Sequence, residues 1–160
     1  MALHKLLVDD FNDDIYSLLA IHCSIEDYRI SYLLNQYLHI NLKRKPRDLD
    51  FKYAESSYSI YEWVDKNQKT IWNLISNVCK KEEDSLISTG SLFDSQNKIT
   101  RTHNLIPEFK TVNYLLKIDN GGNFINENII INKIQKIPQV ATVYSIDTKQ
   151  LKSKDNLILN

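Results

Sequence analysis

At 160 residues, with 42% hydrophobic and 25% charged residues, the chain has an ordinary globular composition. It is long enough to bury a sizeable core without a metal or disulfide staple. Twenty Lys and Arg balance twenty Asp and Glu, which excludes a bulk polyelectrolyte such as non-specific duplex DNA as the leading partner, and three glycines and three prolines exclude collagen-like and Gly/Pro-rich disordered classes.

The first ten residues carry a short apolar patch before Asp9 and Asp10, without the longer apolar core and cleavage site of a secretory signal. No apolar run approaches the about 18 residues that span a bilayer. Cys23 and Cys79 lie far apart with no C-x-x-C spacing and are expected as reduced thiols. These readings place the chain in the cytoplasm, with no membrane partner.

Residues 15–23 form a short apolar run suited to a buried strand. Ser24 reads as an N-cap, with Asp27 in a capping-box position. Tyr28, Tyr32, Leu33 and Tyr37 then fall at three- and four-residue steps and predict a helix over 25–38. Ile40 and Leu42 alternate with Asn41 and Lys43, which predicts a strand and completes a strand–helix–strand unit across 15–44. Leu49, Phe51 and Tyr53 alternate with polar residues and predict another strand. Residues 58–65 and 70–78 flank the polar linker Lys66–Lys69 and predict a hairpin. The charge run Lys80–Asp84 reads as a solvated stretch closing it, 84–98 as a mobile loop and 99–106 as a strand.

In the last third, Val112–Ile118 predicts a strand and Asp119–Asn123 a turn. Ile125, Ile129, Ile130, Ile134 and Ile137 then outline the apolar face of a helix over 124–137. Pro138 stops that helix, because it has no N–H and clashes with the preceding turn. Val140–Ile146 is β-branched and predicts a strand, and 152–160 a flexible tail. Two strand–helix–strand units around a β-rich middle predict one α+β domain over 1–160: a two-layer sandwich, its mainly antiparallel sheet carrying two helices on one face. The halves resemble in outline the βαβ halves of ferredoxin-like domains, including ACT-like small-ligand modules.

Ile106-Pro107-Glu108-Phe109-Lys110-Thr111-Val112-Asn113-Tyr114 resembles the signature of the IPExxxVDY family of bacterial proteins. The likeness extends to EDYRISYLLNQYL from residue 26, WNLISNVCKKEE from 72, and IPQVATVYSID with LKSKDNLI near the end, so it covers almost the whole chain. One departure is visible: the family's Asp is Asn113 here. A catalytic or metal-ligating role for that carboxylate would be lost in this chain. The family is named for its motif and not for a reaction, so the resemblance implies no activity. Physically, Pro107 cannot donate to a ladder and holds Ile106 extended, which predicts the start of a strand. Val112, Tyr114 and Leu116 are then expected on one face, with Asn113, Leu115 and Lys117 on the other.

His4, His22, His39 and His103 are scattered, and His22 and Cys23 leave opposite faces of a strand, so no zinc set is outlined. Asp10-x-Asn12-x-Asp14, within the cluster Asp9, Asp10, Asp13 and Asp14, matches the first three ligand positions of an EF-hand loop. The sixth position is Ile15 in place of Gly and the twelfth Ile21 in place of Glu, so the cluster reads as a solvated acidic lead-in. Nucleophile-elbow, P-loop and G-x-G-x-x-G motifs are absent. Cys79 beside Lys80 and Lys81 has no partner His or Cys nearby in sequence and reads as an inert or surface thiol. No catalytic residue, metal or cofactor is assigned.

Asp119, Asn120, Gly121, Gly122 and Asn123 form the candidate ligand-binding turn, whose amides could face an anion at the start of a helix. The need for positive φ explains the glycines without a ligand. Lys43, Arg44, Lys45 and Arg47, followed by several aromatics, resemble the logic of RNA-stacking platforms, without the RNP consensus. Trp63 and Trp72 are the candidate interface residues, since tryptophan anchors interfaces, with a core position the equal alternative; their faces depend on the hairpin register. The expected function is that of a non-enzymatic adaptor or accessory domain binding a protein, or another copy of itself. The alternatives are an ACT-like small-ligand module and an RNA-binding accessory protein.

Overall fold

A computed structural model describes residues 15–51, 55–84 and 98–159. The acidic lead-in, Tyr53 and most of the expected 84–98 loop lie outside the described residues. In chain order the elements are β1 (Tyr16–Cys23), α1 (Asp27–Leu38), β2 (Lys43–Arg44), β3 (Leu49–Phe51), β4 (Ser56–Tyr58), β5 (Ile60–Asp65), β6 (Thr70–Ser76), β7 (Val78–Asp84), β8 (Lys98–Asn104), β9 (Tyr114–Asp119), α2 (Glu127–Gln135) and β10 (Val140–Ser145).

The main sheet has the order β10-β1-β9-β6-β5-β2, and every neighbouring pair in it is antiparallel. It follows that β9 and β10, on either side of β1, run parallel to each other, as do β1 and β6 on either side of β9. Two short ribbons, β3–β4 and β7–β8, stand apart from this sheet. The α+β arrangement of two helices against a mainly antiparallel sheet is the one the sequence predicts.

Both faces of the sheet are covered around β1 and β9. On the helical face Leu19, Ile21, Leu74, Leu116 and Ile118 pack with Ile30 and Leu34 of α1, Ile134 of α2 and Ile137 just beyond it. On the opposite face Leu18, Ala20, Ile75 and Leu115 meet Leu105, Ile106, Val112, Leu151 and Leu157 from segments outside the α-helices. This double coverage is why Leu18, Leu19, Ala20 and Ile21 are all fully buried and why β1 reads as a continuous apolar run. Among the described residues no helix is long and apolar enough to cross a membrane.

Several expectations are corrected. The N-cap of α1 is Glu26, whose carbonyl accepts from the Arg29 and Ile30 amides, not Ser24. The strand expected at Ile40 and Leu42 shrinks to the edge pair Lys43–Arg44. The Asn35 side chain takes the place of a neighbouring strand there: its Oδ1 accepts from the Leu42 amide at 2.7 Å and its Nδ2 donates to the Leu42 carbonyl at 3.1 Å. Lys80–Asp84 is not a closing run but part of β7, paired with β8 and carrying the Arg101–Glu83 ion pair at 3.0 Å.

Pro107–Phe109 forms a 3-10 turn where a strand start was expected. That turn places Val112 in the core opposite the one holding Tyr114 and Leu116. Helix α2 is shorter than 124–137, and Ile129, expected on its apolar face, is exposed. The expected flexible tail folds back over the outer face: Leu157 is buried, its carbonyl accepts from Lys117 Nζ, and Asn156 donates to the Leu105 carbonyl.

Candidate functional site

The β5–β6 hairpin turns through Lys66–Lys69. Asp65 Oδ1 accepts from the Asn67 amide at 2.9 Å and from the Gln68 amide at 3.4 Å, and Lys69 takes a left-handed φ of 55°. This turn fixes a register that pairs Trp63 directly with Trp72. Directly opposed residues share a face, so both tryptophans stand on the helical side, ring centroids 6.2 Å apart and planes tilted by 44°. Both are half-buried against the helical-face core. Trp72 Nε1 donates to Thr70 Oγ1 at 3.1 Å, which holds that indole in place.

The tryptophans form one wall of an open groove of about 440 Å³. Leu38, His39 and Ile40, where α1 ends, form a second side, and Phe124, Ile125 and Ile130 at the start of α2 a third. The end of α1 is set by His39, whose left-handed φ of 54° turns the chain out of the helix and along the groove. Phe124, among the residues that line the groove, is 88% exposed. Asp65, Gln68, Asn120, Asn126 and Lys133 supply a polar rim.

The structure thus brings together two features that are far apart in the sequence, the tryptophan pair and the 119–123 turn. Of that turn, Asn120 reaches the groove. Gly121 and Gly122 have φ of 58° and 81°, as the turn requires. The Gly121 amide donates to Asp119 Oδ1 and the Asn123 amide to the Asn120 carbonyl, so these donors are satisfied inside the turn.

Ile106 to Val112 of the 106–114 motif form a bracket on the other side of the sheet, and Tyr114 lies in the helical-face core. Fully buried Asn77, between β6 and β7, is the centre of the bracket: Nδ2 donates to the Phe109 and Val112 carbonyls, and Oδ1 accepts from the Ile106 amide. Asn113 Oδ1 accepts from the Cys23 amide at 3.0 Å, where the β1–β10 register shifts. Tyr114 donates its hydroxyl to the Ile25 carbonyl at 2.7 Å, just ahead of α1. Burial, and then nearby Cys23, Asp27 and Glu26, push that hydroxyl well above the ordinary tyrosine range. Glu108 accepts from the Ser153 hydroxyl and from the Lys152 and Ser153 amides, which ties down the C-terminal segment. The Ser153 hydrogen bond is the main reason its carboxyl lies below the usual glutamate value. Pro107 is exposed at the turn.

The basic stretch is partly neutralised. Arg44 pairs with Asp48 and lies 5.6 Å from the Tyr61 ring centroid, and Lys45 reaches Glu62 at 3.4 Å, while Lys43 and Arg47 are exposed. The aromatics that follow divide between the two cores: Tyr58 lies in the outer one, while Tyr61 and the tryptophans belong to the helical one. Cys23 is buried and its thiol is pushed up to about 11 by desolvation, which keeps it protonated near neutrality. Among the described residues no three His, Cys, Asp or Glu side chains gather as a metal set.

Sequence reasoning missed Asn35 and Asn77, because no spacing rule marks a side-chain amide that serves backbone groups far along the chain. It also missed Phe124, whose place just ahead of a helix gives no hint of its exposure. Compared with known protein families, curated proteins and solved structures, the chain matches none.

Proposed function

We propose that this chain is a non-enzymatic binding domain of the cytoplasm that takes an apolar segment of a partner protein into the groove between Trp63, Trp72 and Phe124. One observation carries the reading: two half-buried tryptophans and a highly exposed phenylalanine line the same groove, inside a polar rim. Interfaces favour this anatomy, with aromatic anchors at the centre and polar groups around them. An enclosed pocket would suit a small molecule, which buries most of its surface when bound; an open groove suits a chain segment that continues beyond it. We also propose that the chain belongs to the IPExxxVDY family, whose signature its 106–114 motif resembles. The strand order β10-β1-β9-β6 supports a ferredoxin-like reading, with β1-α1-β6 and β9-α2-β10 as its halves and β5 and β2 added at one side.

Selection from a displayed peptide library tests the groove. Peptides with apolar or aromatic anchors are expected to enrich on the wild-type chain and to lose binding on Phe124→Lys, a substitution at an exposed site that leaves the core intact. Equal recovery on both proteins refutes the assignment. Binding is also readable by fluorescence, because the two tryptophans of the chain both lie in the groove.

A second reading, a small-ligand module, draws on Asn120 of the glycine turn at the same rim. Thermal-shift screening against amino acids and nucleotides distinguishes it, since a ligand that binds only the folded state raises the midpoint. A hit abolished by Gly121→Val in a folded protein would favour this second reading.

A further inference from the structure

We infer that β10 is a self-association edge, along which two copies of the chain pair antiparallel over residues 142–146 with Tyr144 on the twofold axis. Among the described residues β10 pairs with β1 alone. The opposite edge of the sheet is blunted by three devices that keep strands from pairing: β2 is two residues long, both are basic, and Lys45-Pro46-Arg47 follows. By contrast β10, Val140–Ser145, contains no charge and no proline. Its one irregularity is the register shift that skips Ala141, and the pairing from Thr142 to Ser145 is regular.

The backbone geometry selects the register. The Ile146 amide donates to the Leu18 carbonyl at 2.8 Å. Backbone groups alternate sides along an antiparallel strand, so those of Thr142 and Tyr144 also turn to β1, and those of Val143 and Ser145 turn outward. With Tyr144 on the axis, Val143 and Ser145 of one copy exchange amide bonds with Ser145 and Val143 of the other. In this register Asp147 falls opposite Ala141 and Lys149 opposite Gln139, so no like charges meet. A second copy therefore satisfies the outward groups with a self-complementary, isologous contact.

Tyr144 lies on the face of Ala20, half-buried, with its hydroxyl 3.0 Å from His22 Nε2. Side chains come closest in pairs that do not exchange hydrogen bonds, so the two Tyr144 rings meet across the axis. An edge of this length buries less than the about 1,200–2,000 Å² of a standard interface, so the dimer is expected to form at micromolar concentrations and above. The inference is independent of the groove, which lies on the β5–β6 side of the sheet.

Sedimentation of the full chain over a concentration series is expected to show the mass double. Ser145→Pro removes an outward amide while leaving the bonds to β1, and is expected to abolish the doubling with an unchanged circular dichroism spectrum. Ser145→Lys, an edge lysine, is expected to do the same. Under oxidising conditions Tyr144→Cys is expected to form a disulfide-linked dimer and Ala141→Cys is not, because only the former lies on the axis. A wild-type chain that stays monomeric throughout, folded Ser145 variants that still dimerise, or equal cross-linking from both cysteine positions would each overturn the proposal.

Discussion

Asn77 and Glu108 carry much of the motif's structural work, and they do it in different environments. Asn77 is fully buried and serves three backbone groups through its side chain. Asn77→Ala leaves the Ile106 amide and the Val112 carbonyl unpaired, while the Phe109 carbonyl keeps the Val112 amide; at about 1–3 kcal/mol for each buried polar group the loss is expected to be at least about 2 kcal/mol by urea unfolding. Glu108 lies at the surface, and its depressed carboxyl has a defined sign. The folded state favours the ionised form, so the contribution is present above the unfolded glutamate value of about 4.3 and is lost as pH falls through the lower folded value. Glu108→Gln is therefore expected to flatten the decline in stability on acidification below about pH 5, read as unfolding midpoints across a pH series. Asn113→Asp supplies the aspartate of the IPExxxVDY signature that the motif resembles and keeps an acceptor for the Cys23 amide, so its stability is expected within about 1 kcal/mol of the parent. The motif was visible in the sequence, but its role was not: its partners Cys23, Asn77 and Ser153 lie on other segments.

At the scale of elements, periodicity located both helices and the β5–β6 hairpin, because each buries one face and shows the matching spacing. It failed where side chains replaced strand neighbours, as Asn35 does for Leu42, and where proline opened a 3-10 turn at Pro107. It failed again at β7, where the ladder with β8 and cross-strand charge pairing hold a segment that reads as solvated. The hairpin turn offers a test of its own. Lys69 occupies a left-handed φ of 55°, which costs a side-chain-bearing residue about 1 kcal/mol. Lys69→Gly removes that strain at some entropic cost and is expected to raise the melting midpoint by a few degrees. An unchanged or lower midpoint would show that the turn gains nothing from glycine.

For the molecule as a whole, the sequence disclosed an α+β domain but neither the strand order nor the second apolar cluster. Both depend on long-range pairings, with β9 inserted between β1 and β6 and β10 added beyond β1, that local pattern does not encode. The same pairings create the groove by bringing the hairpin, the end of α1 and the start of α2 to one side of the sheet. The most direct measurement of its use is photo-cross-linking in the living source cell, with benzoylphenylalanine in place of Phe124. The account predicts one discrete protein adduct that disappears when Trp72→Ala is added, and no such adduct from the same photoprobe at Ile158, an exposed site on the outer-face segment. No adduct from position 124, or the same adducts from both positions, would contradict it.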